Sequence, residues 1–489
     1  MIGPPPPRRV VVVGGGISGL AAARALRRTA GVALQVVLLE ASVHLGGKLR
    51  VSEVAGVPVD EGAEAMLARR PEGLRLARDA GLHTAVVTPA STAAGVWTRG
   101  TLRPLPAGQV LGIPGDLRAL ASSRVLTPAE LGRATVDLVL PASPLVGSDP
   151  GEDVAVGGYV AARLGRAVVD RLVEPLLGGV YAGRADAISL AAAVPQLAAA
   201  ARAERSLIRA ARRVRAGASA PESPVFASLR GGLGQLPAAV AAASGAEIRT
   251  GSTVRELGRT ATSWRLAIGS ARAPEILEAD AVVLAVPAGV AARLLAPVAP
   301  ASAAELAPIE YASVAILTLA YPSSAAAGAL PGSGFLVPPV EGRTVKGATF
   351  SSSKWGWYAD VAPGLVVVRL SLGRHGEEAD LQREDADIIT RAAGELAEAT
   401  GVRGRPVDAR VTRWGGALPQ YAVGHLDRVR RARAGLAGLP TLAVCGAAYD
   451  GIGVPACIAS GEAAAATVLS GLSAGVPAPA VVRENEFHG

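Results

Sequence analysis

The sequence predicts an α/β fold of two or three domains that begins with a dinucleotide-binding unit, and three observations predict it. Residues 10–13 are four consecutive valines, a β-branched run typical of a buried parallel strand. The glycine-rich stretch 14–20 follows and leads into a helix-forming segment. A second apolar run, 36–39, ends in Glu40, about 20 residues after the last glycine of that stretch.

The stretch 14–20 carries the spacing G-x-G-x-x-G at Gly14, Gly16 and Gly19. In a strand–turn–helix unit, the first glycine permits the tight turn and the second lets a pyrophosphate approach the backbone. The third lets the helix pack closely on the strand. The free N–H groups at the helix start would face the phosphates, and the carboxylate of Glu40 would bind ribose hydroxyls. We therefore predict a Rossmann-like nucleotide site rather than a glycine turn beside a solvated acid.

Composition and charge argue against several other classes of protein. The net charge of +8 comes mainly from arginines scattered along the chain. The basic stripe with interleaved aromatic residues that marks a nucleic-acid-binding module is not found. The two cysteines, Cys445 and Cys457, cannot form a disulfide framework or a metal cluster, and we interpret them as small buried residues rather than a redox pair. No metal site is predicted.

Membrane insertion is not expected from the sequence. A proline-rich leader, not a secretory signal, precedes the first strand. No run reaches about 18 uninterrupted apolar residues, because the nearest candidate, 281–300, is interrupted by Pro287 and Arg293. We therefore expect a cytoplasmic protein without a transmembrane segment. A mean hydropathy of +0.35 leaves weak peripheral membrane contact open.

Two short segments after Glu40 extend the predicted nucleotide site. Gly46-Gly47-Lys48 brings backbone and a cation into one loop, which suits a diphosphate, although a plain β-turn has a similar composition. Residues 57–66 are predicted to form a strand that ends in a tight turn at Gly62.

The order of these motifs resembles that of the amine-oxidase-like flavoproteins, which bind FAD rather than NAD. Two later segments are similar to the porphyrinogen oxidases in particular. They are EPLLGGVYAG at 174–183 and RWGGALPQY at 413–421, the second followed by Gly424-His425. The resemblance extends from Arg9 to about Leu472. It implies an FAD-binding Rossmann-like domain with an inserted α+β substrate domain and a mainly helical subdomain.

The rest of the chain is consistent with this division. Residues 91–217 are mainly helical in pattern, with Thr127 as a helix cap and Pro128 at the first helical position. Strand-like runs dominate 288–435, around a helix predicted at 377–400. The predicted domains are an FAD-binding domain at 1–90, 222–290 and 436–489, a helical subdomain at 91–221, and an α+β substrate-binding domain at 291–435.

Two segments are predicted to be solvated. The helical stretch ends in a basic face, for which solvation and a mobile linker are favoured over contact with an anionic membrane or an acidic partner. Its arginines are Arg202, Arg205, Arg209, Arg212, Arg213 and Arg215. The tail at 473–489 is predicted to be disordered.

The resemblance also implies which residues hold the FAD. A glycine-rich segment at 446–453 opens a second helix, which would meet the flavin ring and the ribityl–phosphate side. The predicted set combines glycine-rich loops, the ribose acid and residues that border the flavin: Gly14, Gly15, Gly16, Ile17, Ser18, Gly19, Leu20, Glu40, Ala41, Gly47, Lys48, Gly62, Ala63, Glu64, Ala65, Val254, Ala285, Trp414, Gly446, Gly451, Ile452, Gly453 and Val454.

For the substrate, the sequence indicates candidate contact residues but no defined site. Candidate wall residues are Met66, Leu67, Tyr181, Tyr421 and His425, and candidate partners for substrate propionates are Arg69, Arg99 and Arg103. The family's reaction is the oxidation of a porphyrinogen in heme biosynthesis. A hydride passes to flavin N5, dioxygen is the acceptor and hydrogen peroxide is released. No general base is assigned.

Several functions remain open at this point. Coproporphyrinogen III is favoured over protoporphyrinogen IX because no spanning segment is found and the sequence style is that of soluble Gram-positive proteins. An amine oxidase or a carotenoid desaturase on the same fold is disfavoured by Gln420-Tyr421 and Gly424-His425, which match porphyrinogen oxidases better. A flavin-binding chaperone without turnover is a further alternative, but every FAD segment is intact. Expected partners are the porphyrinogen, dioxygen and a ferrochelatase that receives the product.

Overall fold

The computed structural model describes residues 7–31, 34–143, 145–149, 151–217, 224–326 and 328–474. Most of the predicted leader, the core of the predicted linker (218–223) and nearly all of the predicted tail (475–489) lie outside these residues. The strands are β1 (Arg8–Val13), β2 (Leu34–Leu39), β3 (Val51–Val54), β4 (Val57–Asp60), β5 (Met66–Leu67), β6 (Val86–Val87), β7 (Ala94–Thr98), β8 (Thr101–Pro104), β9 (Gln109–Val110), β10 (Ile113–Pro114), β11 (Phe226–Leu229), β12 (Glu247–Arg249), β13 (Val254–Arg259), β14 (Trp264–Gly269), β15 (Pro274–Ala279), β16 (Ala281–Leu284), β17 (Tyr311–Pro322), β18 (Gly334–Leu336), β19 (Val345–Thr349), β20 (Leu365–Leu372), β21 (Asp408–Pro419) and β22 (Leu442–Val444).

The α-helices follow the same chain order. They are α1 (Ile17–Ala30), α2 (Pro71–Asp79), α3 (Leu117–Ser123), α4 (Pro128–Thr135), α5 (Val156–Leu164), α6 (Arg166–Val168), α7 (Glu174–Tyr181), α8 (Leu190–Ala193), α9 (Pro195–Ala203), α10 (Leu207–Ala216), α11 (Leu236–Ser244), α12 (Ala288–Leu295), α13 (Pro300–Leu306), α14 (Ser351–Lys354), α15 (Tyr358–Val361), α16 (Asp385–Thr400), α17 (His425–Ala434) and α18 (Val454–Ser473).

A five-stranded parallel sheet forms the centre of the nucleotide-binding part, in the order β12-β2-β1-β16-β22. The valine run of β1 is buried because α1, α11 and α18 cover one face of the sheet, while the three-stranded sheet β13–β15 and helices such as α12 cover the other. Val12 pairs with Leu38 of β2 and with Val283 of β16, so the central strand is bonded on both edges. The strands come from three separated stretches of the chain, 8–39, 247–284 and 442–444.

A seven-stranded sheet forms the second layer, in the order β21-β17-β20-β19-β18-β7-β8. Strands β7 and β8 lie within residues 91–217, which the sequence pattern predicts to be mainly helical. The prediction is wrong for these two strands. They extend the sheet because β7 pairs in parallel with β18 and buries Val96 and Trp97. The helix predicted at 377–400 begins only at Asp385, after a short 3₁₀ turn at Glu378–Gln382.

The helices α3–α10 pack around their own apolar core, which includes Leu164, Leu177 and Leu197. The predicted start of α4 is confirmed: the Thr127 side chain accepts from the Glu130 amide, and the Glu130 carboxylate accepts from the Thr127 amide.

The arginines at the basic end of this helical region are largely exposed, as the charge pattern predicts, and two of them also bind backbone carbonyls. Arg205 donates to the carbonyl of Leu138 at 2.9 Å, and Arg212 donates to the carbonyl of Gly115 at 3.2 Å. These guanidinium groups therefore bind backbone carbonyls of neighbouring segments, which a charge count along the helix does not reveal.

Within the described residues, α18 is the one helix long and apolar enough to cross a membrane. It packs against α1 so closely that a Cβ added at Gly461 would lie 2.1 Å from the carbonyl oxygen of Ser18. About half of its apolar window is buried inside the molecule, which is the placement of a core helix.

Candidate functional site

The turn between β1 and α1 has the geometry of a phosphate cradle. A Cβ at Gly14 would lie 2.4 Å from the carbonyl oxygen of Ala285, and one at Gly19 would lie 1.9 Å from that of Gly14, so these two positions accept only glycine. At Gly16, by contrast, nothing lies within 4 Å of an added Cβ. The backbone at Gly16 is therefore open where the first turn of α1, which has no side-chain cap, presents its N–H groups.

Glu40 lies at the end of β2 and braces this turn. Its Oε2 accepts from the Gly15 amide at 2.6 Å, and its Oε1 accepts from the Ser42 amide at 2.8 Å. Each carboxylate oxygen can accept further hydrogen bonds, so the side chain is still able to bind ribose hydroxyls. The Glu40 carbonyl accepts from the Ser252 amide, which brings the segment before Val254 to the same corner.

The glycine–lysine loop meets the same turn. Gly46 donates its amide to the carbonyl of Gly15 at 2.9 Å, and Gly47 approaches the Cα of Gly16. Burial lowers the pKa of Lys48, and its ammonium group makes no hydrogen bond or ion pair with any residue in the part of the chain that the structure describes. A desolvated cation without a counter-charge, beside an open phosphate cradle, fits a bound anion.

The start of α18 completes the cradle. Its first turn also lacks a side-chain cap and contains no acidic residue. A Cβ added at Gly446, in the loop before α18, would lie 3.9 Å from the Ser18 hydroxyl of α1, and one at Gly461 of α18 would lie 2.1 Å from the Ser18 carbonyl oxygen. Both cysteines are buried and free, and burial raises the pKa of Cys457 to about 11. Two helix N-termini and one lysine thus converge, an arrangement that fits the diphosphate of a dinucleotide.

The turn at 61–64 is held against this cradle by several elements. Ala63 donates its amide to the Lys48 carbonyl at 3.2 Å, and a Cβ at Gly62 would lie 2.0 Å from that same oxygen. The indole of Trp414 donates to the carbonyl of Glu61 at 2.8 Å. The structure therefore brings Gly62, Ala63 and Trp414 next to the predicted phosphate site.

Glu64 is the centre of a buried charge cluster that the sequence predicts only in part. Its Oε1 lies 2.6 Å from Lys354 Nζ, and its Oε2 lies 2.7 Å from Arg369 Nη1. Burial would raise the pKa of Glu64, but the two cations outweigh that effect and hold it at about 2. We refer to these three residues as the Glu64 cluster. It contains two cations and one carboxylate, hence one net positive charge.

Lys354 and Arg369 were not identified from the sequence, although one signal was available. Arg369 interrupts the apolar run of β20, and a cation inside such a run needs a partner or a function. No comparable signal marks Lys354, which follows a run of three serines on α14.

One face of the seven-stranded sheet looks toward the nucleotide-binding part. Arg369 points from this face to the carbonyl of Gly62. Ser371, two residues further along β20, lies on the same face, and its cross-strand partners are Ile316 and Gly347. Leu336 continues the row and approaches Gly179 of α7. These small and apolar side chains form a wall beside the Glu64 cluster.

The predicted substrate residues lie at different depths. Leu67 is exposed next to Phe226 on the β5–β11 pair, whereas Met66 is buried. Arg69 is exposed and borders an open cavity of about 730 Å³ together with Arg213.

Two of the predicted propionate partners are directed elsewhere. Arg99 donates to the carbonyls of Arg124 and Val125 and faces the Glu130 carboxylate, so its guanidinium is already engaged. The Nε of Arg103 is buried and has no hydrogen-bond partner within the described ranges. A role for Arg69, Arg99 or Arg103 in propionate binding stays a prediction.

Tyr181, Tyr421 and His425 are buried rather than presented to a cavity. Their exposed fractions are 5%, 1% and 2%. The Tyr421 and His425 rings stack at a centroid distance of 4.0 Å, and the Tyr181 ring lies 5.5 Å from that of Tyr421. The proposed role of these rings in contacting the substrate stays a prediction. Their burial argues against it, because a buried ring cannot reach a ligand.

The chain is similar to known proteins over almost its whole length. Residues 17–469 match the family described as flavin containing amine oxidoreductase. The chain is 39% identical over 470 residues to the coproporphyrinogen III oxidase of Mycobacterium tuberculosis, covering 94% of this chain and 97% of that protein. It is 30% identical over 465 residues to the coproporphyrinogen III oxidase of Bacillus subtilis, covering 93% and 96%. A crystal structure from Exiguobacterium sp. 255-15, named as a protoporphyrinogen oxidase, superposes with a TM-score of 0.82 at 32% identity, covering 94% of this chain and 98% of that one.

Proposed function

Since the chain belongs to the flavin-containing amine oxidoreductase family, we propose that it is an FAD-dependent oxidase that converts coproporphyrinogen III to coproporphyrin III. The resemblance found in the sequence is confirmed at the level of the family. The observation that carries the proposal is the convergence of Lys48 with the two uncapped helix N-termini of α1 and α18, in a chain whose full-length relatives bear this activity in their names.

Different residues of the cradle would bind different parts of FAD. The open backbone at Gly16, the start of α18 and the ammonium of Lys48 would bind the diphosphate. Glu40 would bind the ribose hydroxyls while its bonds to Gly15 and Ser42 keep the turn in place. When bound, FAD supplies hydride acceptance at N5 and passes the electrons to dioxygen.

The wall of the seven-stranded sheet would position the macrocycle. Ser371 and Gly347 are small, so a flat substrate can approach the wall closely, and Leu336 offers apolar contact. The net positive charge of the Glu64 cluster would attract propionates, with Lys354 as the more exposed of its cations.

The Glu64 cluster does not supply a general base. The carboxylate of Glu64 is stabilised in its charged form by both cations, so it has little tendency to take up a proton. We therefore propose that substrate oxidation relies on orientation and exclusion of water by this chain, without a dedicated proton acceptor at Glu64.

Charge also supports the choice of substrate. Coproporphyrinogen III carries four propionates and protoporphyrinogen IX two, so the net positive charge of the Glu64 cluster would favour the former. Protoporphyrinogen IX oxidation is the second candidate, because the Exiguobacterium structure bears that name. An amine oxidase or a carotenoid desaturase is disfavoured by the names of the relatives at 30–39% identity.

We place the reaction in the cytoplasm as part of heme biosynthesis, with dioxygen as acceptor and a ferrochelatase as receiver of the product. The relatives' names support a porphyrinogen as the substrate. The placement of α18 in the core supports an enzyme without a spanning helix among its described residues. Weak peripheral membrane contact remains compatible with this proposal.

The test is turnover with both porphyrinogens. Purified protein loaded with FAD is incubated in air with coproporphyrinogen III or protoporphyrinogen IX, and porphyrin fluorescence and hydrogen peroxide are followed at low and high salt. We expect a higher kcat/KM for coproporphyrinogen III, with a preference that weakens as salt rises. FAD-free protein is the control. Rates equal to spontaneous oxidation for both substrates would contradict the oxidase, and a preference for protoporphyrinogen IX would contradict the substrate.

A further inference from the structure

The loop before α18 is held by a side chain from the segment that follows β21. The hydroxyl of Tyr421 donates to the carbonyl of Ala447 at 2.5 Å and accepts from the amide of Gly451 at 2.9 Å. The His425 ring stacks on the Tyr421 ring at a centroid distance of 4.0 Å. Two backbone groups between 447 and 451 are thus bound by Tyr421, with His425 packed against its ring.

The same pair is tied to the helical region. The carbonyl of Tyr421 accepts from the Ser189 amide at 2.8 Å, and the side chain of Gln420 donates to the carbonyl of Tyr181 at 2.9 Å. The amide of Gly424 is bound by the Asp153 carboxylate at 2.8 Å. Residues 420–425 therefore connect the helices of 153–189 to the loop that opens α18.

The hydroxyl of Tyr421 is fully engaged in binding the loop. Its ring is almost completely buried, and both hydrogen-bonding capacities of the hydroxyl are used by the loop. Removing the hydroxyl would leave the partly buried Gly451 N–H and Ala447 carbonyl oxygen without that partner, which is costlier than losing a fully solvated bond.

We infer that Tyr421 is a positioning residue that fixes the 446–453 loop, and with it the start of α18, relative to the helical region. The inference rests on the proposed function, because it assumes that this helix start faces the bound flavin. It assigns Tyr421 to the cofactor side of the reaction rather than to the substrate wall.

The chain offers a matched control for a test. Tyr421→Phe removes only the hydroxyl and keeps the ring stacked on His425. Tyr181→Phe removes a hydroxyl from the neighbouring ring, and that hydroxyl makes no hydrogen bond to any residue the structure describes. The two variants therefore differ in the loop contacts and in little else.

The experiment uses holoenzyme with FAD as the bound probe. Dissociation of FAD on dilution is followed by flavin fluorescence, the midpoint potential by titration, and exchange of the 446–453 backbone amides by mass spectrometry. For Tyr421→Phe we expect at least about a fivefold increase in the dissociation constant, a shifted potential and faster exchange in this loop. Tyr181→Phe is expected to behave like the wild type in all three.

Three results would overturn the inference. These are an unchanged dissociation constant and potential in Tyr421→Phe, equal changes in both variants, or a lower melting temperature with unaltered potential and loop exchange, which would make the role merely structural. If Tyr421→Phe is insoluble, His425→Gln removes the second side chain, and unchanged FAD affinity there would also overturn it. Wild-type protein that binds no FAD would instead refute the proposed function on which the inference rests.

Discussion

Glu64 and Arg369 are 305 positions apart in the sequence, yet Oε2 of the first lies 2.7 Å from Nη1 of the second. Arg369 also donates to the carbonyl of Gly62, so one guanidinium joins an interior strand of the seven-stranded sheet, β20, to the turn beside the phosphate cradle.

Arg369→Gln should destabilise the protein strongly. The change leaves the buried carboxylate of Glu64 with one cation and the Gly62 carbonyl without its donor, a loss of about 3–5 kcal/mol in the free energy of unfolding. Arg230→Gln is the control, because Arg230 pairs with Asp360 on the surface and its loss costs about 0–1 kcal/mol. Urea unfolding measures both, and equal effects would contradict the importance of the buried pair.

Acid should remove the stabilising effect of Glu64. Its pKa of about 2 lies below the ordinary value of 4.5, so the folded state favours the charged form. The resulting stability is complete above about pH 5 and is lost as the pH falls from 4.5 toward 2. The gap in unfolding free energy between wild type and Glu64→Gln should therefore narrow over this range. A gap that widens toward low pH would contradict the assignment.

Gly16→Ala should impair FAD binding without affecting the fold, whereas Gly19→Ala should destabilise the fold itself. A methyl group at Gly16 meets nothing within 4 Å, so the FAD-free protein should keep its melting temperature while the added group blocks the diphosphate. At Gly19 the methyl would lie 1.9 Å from the Gly14 carbonyl oxygen, so α1 must move away from β1. We therefore expect a lower melting temperature for Gly19→Ala. Calorimetry and the flavin content after purification distinguish the two. Full flavin content in Gly16→Ala would refute the position of the diphosphate.

Glu40→Ala should weaken FAD binding by about 1.5–3 kcal/mol, because a charged acceptor is lost to both the turn and the ribose. Glu40→Gln should be intermediate, since one side-chain oxygen remains. Glu53→Ala, an exposed acid on β3, is the matched control. Retention of flavin is measured after extensive dialysis, and full retention in Glu40→Ala would show that Glu40 does not contact the cofactor.

Much of the fold and of the geometry of the cradle could be predicted because the signals are local in sequence, while contact of the cradle residues with FAD stays a prediction. The α/β fold class and the flavin-dependent family are confirmed. The cradle was predictable since Gly14, Gly16 and Glu40 stand at spacings that a strand–turn–helix imposes. The start of α4 was predictable because Thr127 and Glu130 form a complete capping box.

The contacts between distant segments could not be predicted, because they depend on which strands pair in the seven-stranded sheet. Glu64 meets Arg369 only because β20 lies inside a sheet whose strand order does not follow the sequence. Strands β7 and β8 were missed because their edge position is set by pairing with β18, far along the chain. Tyr421 and His425 were assigned to a substrate wall from a motif, but a motif does not say which side of a loop a ring occupies.

The order of the parallel sheet also limits when the cofactor can bind during synthesis. Strand β22 and helix α18 lie within the last 50 residues or so of the chain, and Gly461 must pack on Ser18 before the second helix N-terminus faces the first. A nascent chain that lacks this part has only one side of the diphosphate cradle. FAD can therefore be captured firmly only once β22 and α18 have been synthesised, and a chain truncated before β22 should emerge without bound flavin.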